Sequence, residues 1–215
     1  MAQWLNTAFY NVDFSAFSFT HGLAKTCGGF LTPFMNVLAF LGKGGWAFIV
    51  MGIILLAFRK TRRAGVCVLI ALLMGAILTN VIIKNAVARP RPFAQNQKYN
   101  EWWQFVGSSF EKEWSFPSGH VTATMASMTA LFFIFNKKWS WVFFLGAILM
   151  GFCRVYLVVH YLTDVIGGLI IGLIGGACAY FSVKAIFKAL EKASDKRFCK
   201  AILEFDLIEF IKNKK

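Results

Sequence analysis

The sequence predicts an all-α fold: an integral membrane helix bundle of five to six transmembrane helices, with amphipathic interfacial helices at both ends. Three observations carry that prediction. Several apolar runs reach or approach the roughly 20 residues that cross a bilayer core. Charged residues are only 15% of the 215-residue chain, where a soluble domain carries about 25%. The basic residues gather between and after the apolar runs, where the positive-inside rule places them. That distribution also argues against nucleic acid as the meaning of a net charge of +13.

Residues 1–43 form the N-terminal amphipathic segment. Within it, 14–42 carries His21, Lys25 and Asn36 among apolar residues, the pattern of an interfacial helix pair, with a sixth, weak span as the alternative. The first residues show no basic region followed by an apolar core and a cleavage site, so no removable signal peptide is expected. The transmembrane bundle occupies 44–185, with apolar runs at 44–59, 64–83, 121–136, 139–153 and 164–183. The link "RKTRR" (59–63) joins the first two runs, "NKK" (136–138) joins the third and fourth, and a basic series from Lys184 to Lys200 follows the fifth. By parity these clusters share one face, the cytoplasmic one. The loop 84–120 and the junction 154–164 then meet on the opposite face. Gly168, Gly172 and Gly176 recur every fourth residue, a flat strip for close helix packing. The tail 186–215 sets Phe198, Ile202, Phe205 and Ile208 at helical spacing among basic residues, as in a helix on the inner membrane surface. The five cysteines show no CxxC and no Cys/His metal spacing, and read as small buried hydrophobes.

Three polar clusters fall on the outer face. In "KNAVARPRP" (84–92), Lys84 and Arg91 are two helical turns apart, so a continued helix would aim both the same way before Pro90 and Pro92 end it. The cluster reads equally as a basic flank that anchors a span on lipid headgroups, a role open to Arg89 even if Arg91 does not take it. In "FPSGHVT" (116–122), Ser118, Gly119 and His120 open an apolar helix. A helix start offers free N–H groups to an anion, Gly119 lets backbone approach a ligand, and Ser118 reads equally as an N-cap. In "GFCRVYLVVHYLTDVIGG" (151–168), His160 and Asp164 are four apart, on one face of a helix, with Arg154 nearby. A carboxylate on one ring nitrogen makes the other a better base or nucleophile. The inventory is three cations, two histidines, one carboxylate and a helix N-terminus: a phosphate cage with a nucleophile and an acid. A single carboxylate argues against a two-metal site.

These residues resemble the type-2 phosphatidic acid phosphatase family, related to bacterial acid phosphatases and vanadium haloperoxidases. Its pattern K-x6-R-P, P-S-G-H, S-R-x5-H-x3-D reads here as Lys84 to Arg91-Pro92, Pro117-Ser118-Gly119-His120, and Cys153-Arg154 to His160 to Asp164. Cys153 departs from the family's serine and is expected to weaken a hydrogen bond that orients Arg154 or a neighbour. The resemblance implies that His160 is the nucleophile, Asp164 its orienting partner and His120 the acid that protonates the leaving oxygen. Lys84, Arg91, Arg154, Ser118 and Gly119 would hold the phosphate, with no metal or other cofactor. It also implies a lipid phosphate or pyrophosphate substrate at the extracytoplasmic face of the cell membrane. Trp102, Trp103, Phe105, Phe110 and Trp114 in the loop suit that boundary. A lipid phosphotransferase using the same phosphohistidine, and a non-catalytic lipid-phosphate binder, are the alternatives.

Overall fold

The computed structural model describes residues 1–135 and 137–212, so Asn136 of the third link and residues 213–215 of the tail lie outside it, as does the side chain of Ile202. Among the described residues the structure is helical, without strands. A short α1 (Ala2–Ala8) leads into α2 (Tyr10–Gly42), one continuous 33-residue helix where a pair was expected. A tight turn at Lys43–Gly45 follows, with Gly44 and Gly45 at φ 62° and 71°, a left-handed backbone that glycine adopts without penalty. It redirects the chain into α3 (Trp46–Leu56).

Helix α4 (Arg62–Ala76) returns through a π-helical turn (Ile77–Ile83) into α5 (Lys84–Val87). Two short helices, α6 (Pro92–Gln95) and α7 (Gln97–Phe105), precede the long loop. Then come α8 (Gly119–Ile134), the single turn α9 (Lys137–Ser140), α10 (Phe143–Tyr156) and α11 (Leu162–Lys192). Among the described residues, four helical stretches are long and apolar enough to cross a membrane, Tyr10–Leu56, Arg62–Gln95, Lys137–Tyr156 and Leu162–Lys192, with Gly119–Ile134 a shorter apolar one.

Small residues let the spans meet. Ala64, Cys67, Val68, Ala71, Ala126, Ala130 and Ala179 are buried between α4, α8 and α11. The glycine strip of α11 faces α8 as expected. A Cβ on Gly168 would lie 2.9 Å from Ser118 O, one on Gly172 2.6 Å from Met125 Cβ, and one on Gly176 2.6 Å from Ala126 O. No larger residue fits without parting the helices.

Helix α2 takes an unusual course. Phe17 packs on Tyr161, Thr32 Oγ1 bonds Tyr156 Oη at 2.7 Å, and Gly42 meets His120 and Met150. Between Asp13 and Gly42, roughly 44 Å of helix, these contacts stay within one end of the bundle. Helix α2 therefore lies across that polar end, with Phe30, Phe34 and Val37 exposed along its outer stripe. At the other end the tail folds back as α12 (Arg197–Glu204) and α13 (Leu207–Lys212). It docks under the α3–α4 turn through Leu207 N to Ala57 O (3.0 Å) and Arg59 N to Asp206 Oδ2 (2.9 Å).

Candidate active site

Helix starts and loops converge at the polar end. The first cluster does not rest on a continued helix. The helix stops at Val87, because Ala88 turns left-handed at φ 50°. Arg91 is then extended, as the residue before a proline must be. The turn, not helical periodicity, points Lys84 and Arg91 into one cavity. Lys84 pairs with Glu113. Arg91 donates Nε to Glu113 O (2.8 Å) and Nη1 to Val159 O (2.8 Å), and pairs with Glu111 at 2.7 Å.

Ser118 stands at the N-cap of α8, yet its side chain caps nothing, and its Oγ is buried without a partner. Its main chain is tied instead, Ser118 N donating to Asp164 O at 3.1 Å. That bond joins the starts of α8 and α11. A Cβ on Gly119 would lie 3.8 Å from Lys84 Nζ, so the backbone passes close to the cation. His120 follows in the first turn and lines the same cavity.

The expectation of His160 and Asp164 on one helix face needs correction. Helix α10 ends at Tyr156, Val158 turns at φ 56°, and α11 begins only at Leu162, so His160 sits in the connection. Contact survives because Asp164, third residue of α11, folds back over its own helix start: Oδ2 accepts from Tyr161 N at 3.0 Å. The same oxygen accepts from Ser115 Oγ and lies 3.5 Å from His160 Nδ1.

His160 is buried to 1% exposure, with Nε2 2.9 Å from Arg91 Nη1. A guanidinium only donates, so Nε2 accepts and the ring proton sits on Nδ1, toward Asp164. Burial, then Arg91 and Arg154, hold the imidazole well below its ordinary 6.5. The ring is neutral at pH 7, with a lone pair on Nε2.

Arg154, in the last turn of α10, pairs with Glu111 and leaves Nε buried without a partner. Cys153 does not orient it. The thiol donates to Met35 O of α2 at 3.2 Å, because neighbouring helix positions project about 100° apart.

The one-carboxylate inventory was incomplete. Glu111 and Glu113 reach the cations from the loop, and burial that would raise the Glu111 carboxyl is outweighed by Arg154 and Arg91, which hold it below its ordinary value. Asp13 also arrives, through Arg89 (2.9 Å). Arg89 anchors no headgroup, being fully buried. Two signals were present: Asp13 is the only acid in the first 100 residues, and "EKE" (111–113) is the one acidic cluster in the outer loop.

The cavity holds about 970 Å³. Lys84, Arg91, Arg154, His120 and His160 line one part of it, and Ile49, Leu69, Leu72 and Leu73 another. Ile49 and Leu73 also show on the outside of the bundle, so the apolar wall continues to the lipid-facing surface.

The PAP2 superfamily profile matches residues 64–188. The chain is 30% identical over 145 residues to the undecaprenyl-diphosphatase of Sulfolobus acidocaldarius, covering 64% of this chain and 65% of that one. It is 28% identical to the lipid A 4'-phosphatase of Porphyromonas gingivalis, covering 74% and 70%. Among solved structures, LpxE of Aquifex aeolicus matches at 29% identity and TM-score 0.58, over 69% of this chain and 84% of that one. The PAP2-type phosphatidylglycerolphosphate phosphatase of Bacillus subtilis matches at TM-score 0.62 over 92% of both chains, and at 23% identity it supports the fold alone.

Proposed function

Because the chain belongs to the PAP2 superfamily, we propose that it is a membrane lipid phosphatase, cleaving a phosphate monoester or pyrophosphate headgroup through a phosphohistidine. One observation carries the reading. His160 is neutral, its Nδ1 faces Asp164, its Nε2 meets Arg91, and the residue lines a cavity that joins cations to an apolar wall.

Nε2 attacks phosphorus in line with the leaving oxygen. As the N–P bond forms the P–O bond breaks, and His120 gives its proton to that oxygen. Asp164 holds the Nδ1–H of the ring as it gains positive charge. Lys84, Arg91, Arg154, the Ser118 hydroxyl and the Gly119 amide hold the remaining oxygens, where negative charge is spread in the transition state. His120 then takes a proton from water, which attacks phosphorus and frees His160 and inorganic phosphate. Metal independence is part of the proposal.

The lipid class is supported by the apolar wall and by the names of the relatives, which act on undecaprenyl diphosphate, lipid A and phosphatidylglycerophosphate. The basic links argue for a polar end facing away from the cytoplasm and a cytoplasmic C-terminus, in the plasma or inner membrane.

The test is phosphate release by purified protein in detergent with EDTA. The panel holds undecaprenyl pyrophosphate, phosphatidylglycerophosphate, phosphatidic acid and a water-soluble monoester, with His160→Ala as control. Release that survives EDTA and vanishes in the variant is the expected result. Silence on every lipid, or release undiminished in His160→Ala, overturns the reading.

A further inference from the structure

Arg89 stands apart from the phosphate-binding cations. Neither it nor Asp13 lines the large cavity. Its guanidinium is fully buried and makes four hydrogen bonds. Nε donates to Asn6 Oδ1 at 2.8 Å, Nη1 to Asp164 Oδ1 at 2.6 Å and Thr163 Oγ1 at 2.7 Å, and Nη2 to Asp13 Oδ2 at 2.9 Å. The Tyr161 ring lies 3.6 Å from its central carbon. Asp13 is bound in turn by Thr163, whose backbone N reaches Oδ1 at 3.0 Å.

The two oxygens of Asp164 therefore do different things. Oδ1 belongs to Arg89, while Oδ2 serves Ser115, Tyr161 N and His160. With Oδ1 held, the carboxylate cannot rotate, and Oδ2 keeps facing Nδ1 of His160. A lone guanidinium would also draw charge from Asp164 and weaken its hold on the imidazole. The Asp13 carboxylate, on the other side of the fork, offsets that pull.

We propose that Arg89 and Asp13 are positioning residues for the His160–Asp164 pair, so that two side chains outside the substrate cavity, one of them on the N-terminal helix α2, take part in the reaction. This rests on His160 being the nucleophile of a lipid phosphatase. Its signature is specific: the residues act on the nucleophile and not on the phosphate site, so kcat responds and KM does not.

The experiment uses the full chain in detergent, with the same lipid panel and melting temperature as a check of folding. Asp13→Asn keeps the shape and removes the charge. The expected result is a fall in kcat of about tenfold or more with KM within about twofold, and partial recovery in Asp13→Glu, which restores the charge. Arg89→Lys, which keeps charge and loses the fork, should show the same split. A folded Asp13→Asn with wild-type kcat, or one that raises KM alone, overturns the proposal. If Asp13→Asn does not fold, Asn6→Ala replaces it, removing only the Nε contact, and wild-type kcat there is equally fatal. A wild type inert on the whole panel overturns the phosphatase reading and this one with it. An active wild type beside an equally active Asp13→Asn overturns this one alone.

Discussion

Substituting Gly172 by valine tests the packing that joins α8 to α11. A Cβ at this position would lie 2.6 Å from Met125 Cβ, 2.8 Å from Thr122 O and 3.0 Å from Ala126 N. Carbon atoms settle at about 3.5–4.0 Å, so the helices must separate by about 1 Å, and two of the three obstacles are backbone. Overpacking of this kind costs roughly 1–3 kcal/mol. For a chain of this length that lowers the melting temperature by roughly 2–12 °C. The displacement reaches the site, because the Ser118–Asp164 bond sits one turn beyond Gly168. A misplacement near 1 Å costs up to about a hundredfold in rate. Gly146→Val is the control, since nothing lies within 4 Å of its Cβ, and it carries the same small gain in helix propensity of Val over Gly. The assay is melting in detergent beside phosphate release. A Gly172→Val protein that melts and turns over like the Gly146→Val protein refutes the argument.

Three further outcomes follow from the site. Glu111→Gln removes a carboxylate that competes for Arg91 and Arg154. Two partly exposed pairs suggest inhibition by inorganic phosphate tightened about three- to tenfold, and an unchanged inhibition constant would contradict this. Ser118→Ala should leave the melting temperature unaltered, because the hydroxyl has no partner to lose, and raise KM about fivefold for one lost phosphate hydrogen bond; a change in melting without a change in KM would reverse the assignment. Lastly, His160 is held below 6.5 in the folded protein, so an unfolded chain binds the proton that the buried ring refuses. Its contribution to stability is full above pH 6.5 and declines as pH falls below it, which melting scans in buffers from pH 8 to 5 read directly.

Much of this site was legible because its residues sit at short, regular intervals. The strip Gly168–Gly172–Gly176 announces a close helix contact by spacing alone, and α8 occupies it. Lys84, Arg91, Gly119, His120, Arg154 and His160 fall at one end because span parity puts them there. What was not legible depends on contacts between distant positions. Asp13 meets Thr163 across 150 residues, and no periodicity reports such a pair. Glu111 sits in a loop with no repeating pattern, so its double pairing with Arg91 and Arg154 has no local cause. The helical placement of His160 failed because Val158, a β-branched residue with no intrinsic liking for positive φ, is forced there by the turn into α11.

The Asp13 clasp also sets an order of events during synthesis. Its first partner, Arg89, emerges 76 residues later, and Thr163 emerges 150 residues later. At typical elongation rates that is a wait of roughly 7–30 s before the clasp can close. Throughout it Asp13 must keep its charge in contact with water, since a carboxylate in hydrocarbon costs about 3 kcal/mol. The first long helix to be made is then expected to stay at the water boundary until the later spans arrive. The reaction centre would then be completed late, once Thr163 and Asp164 reach Asp13 and Arg89.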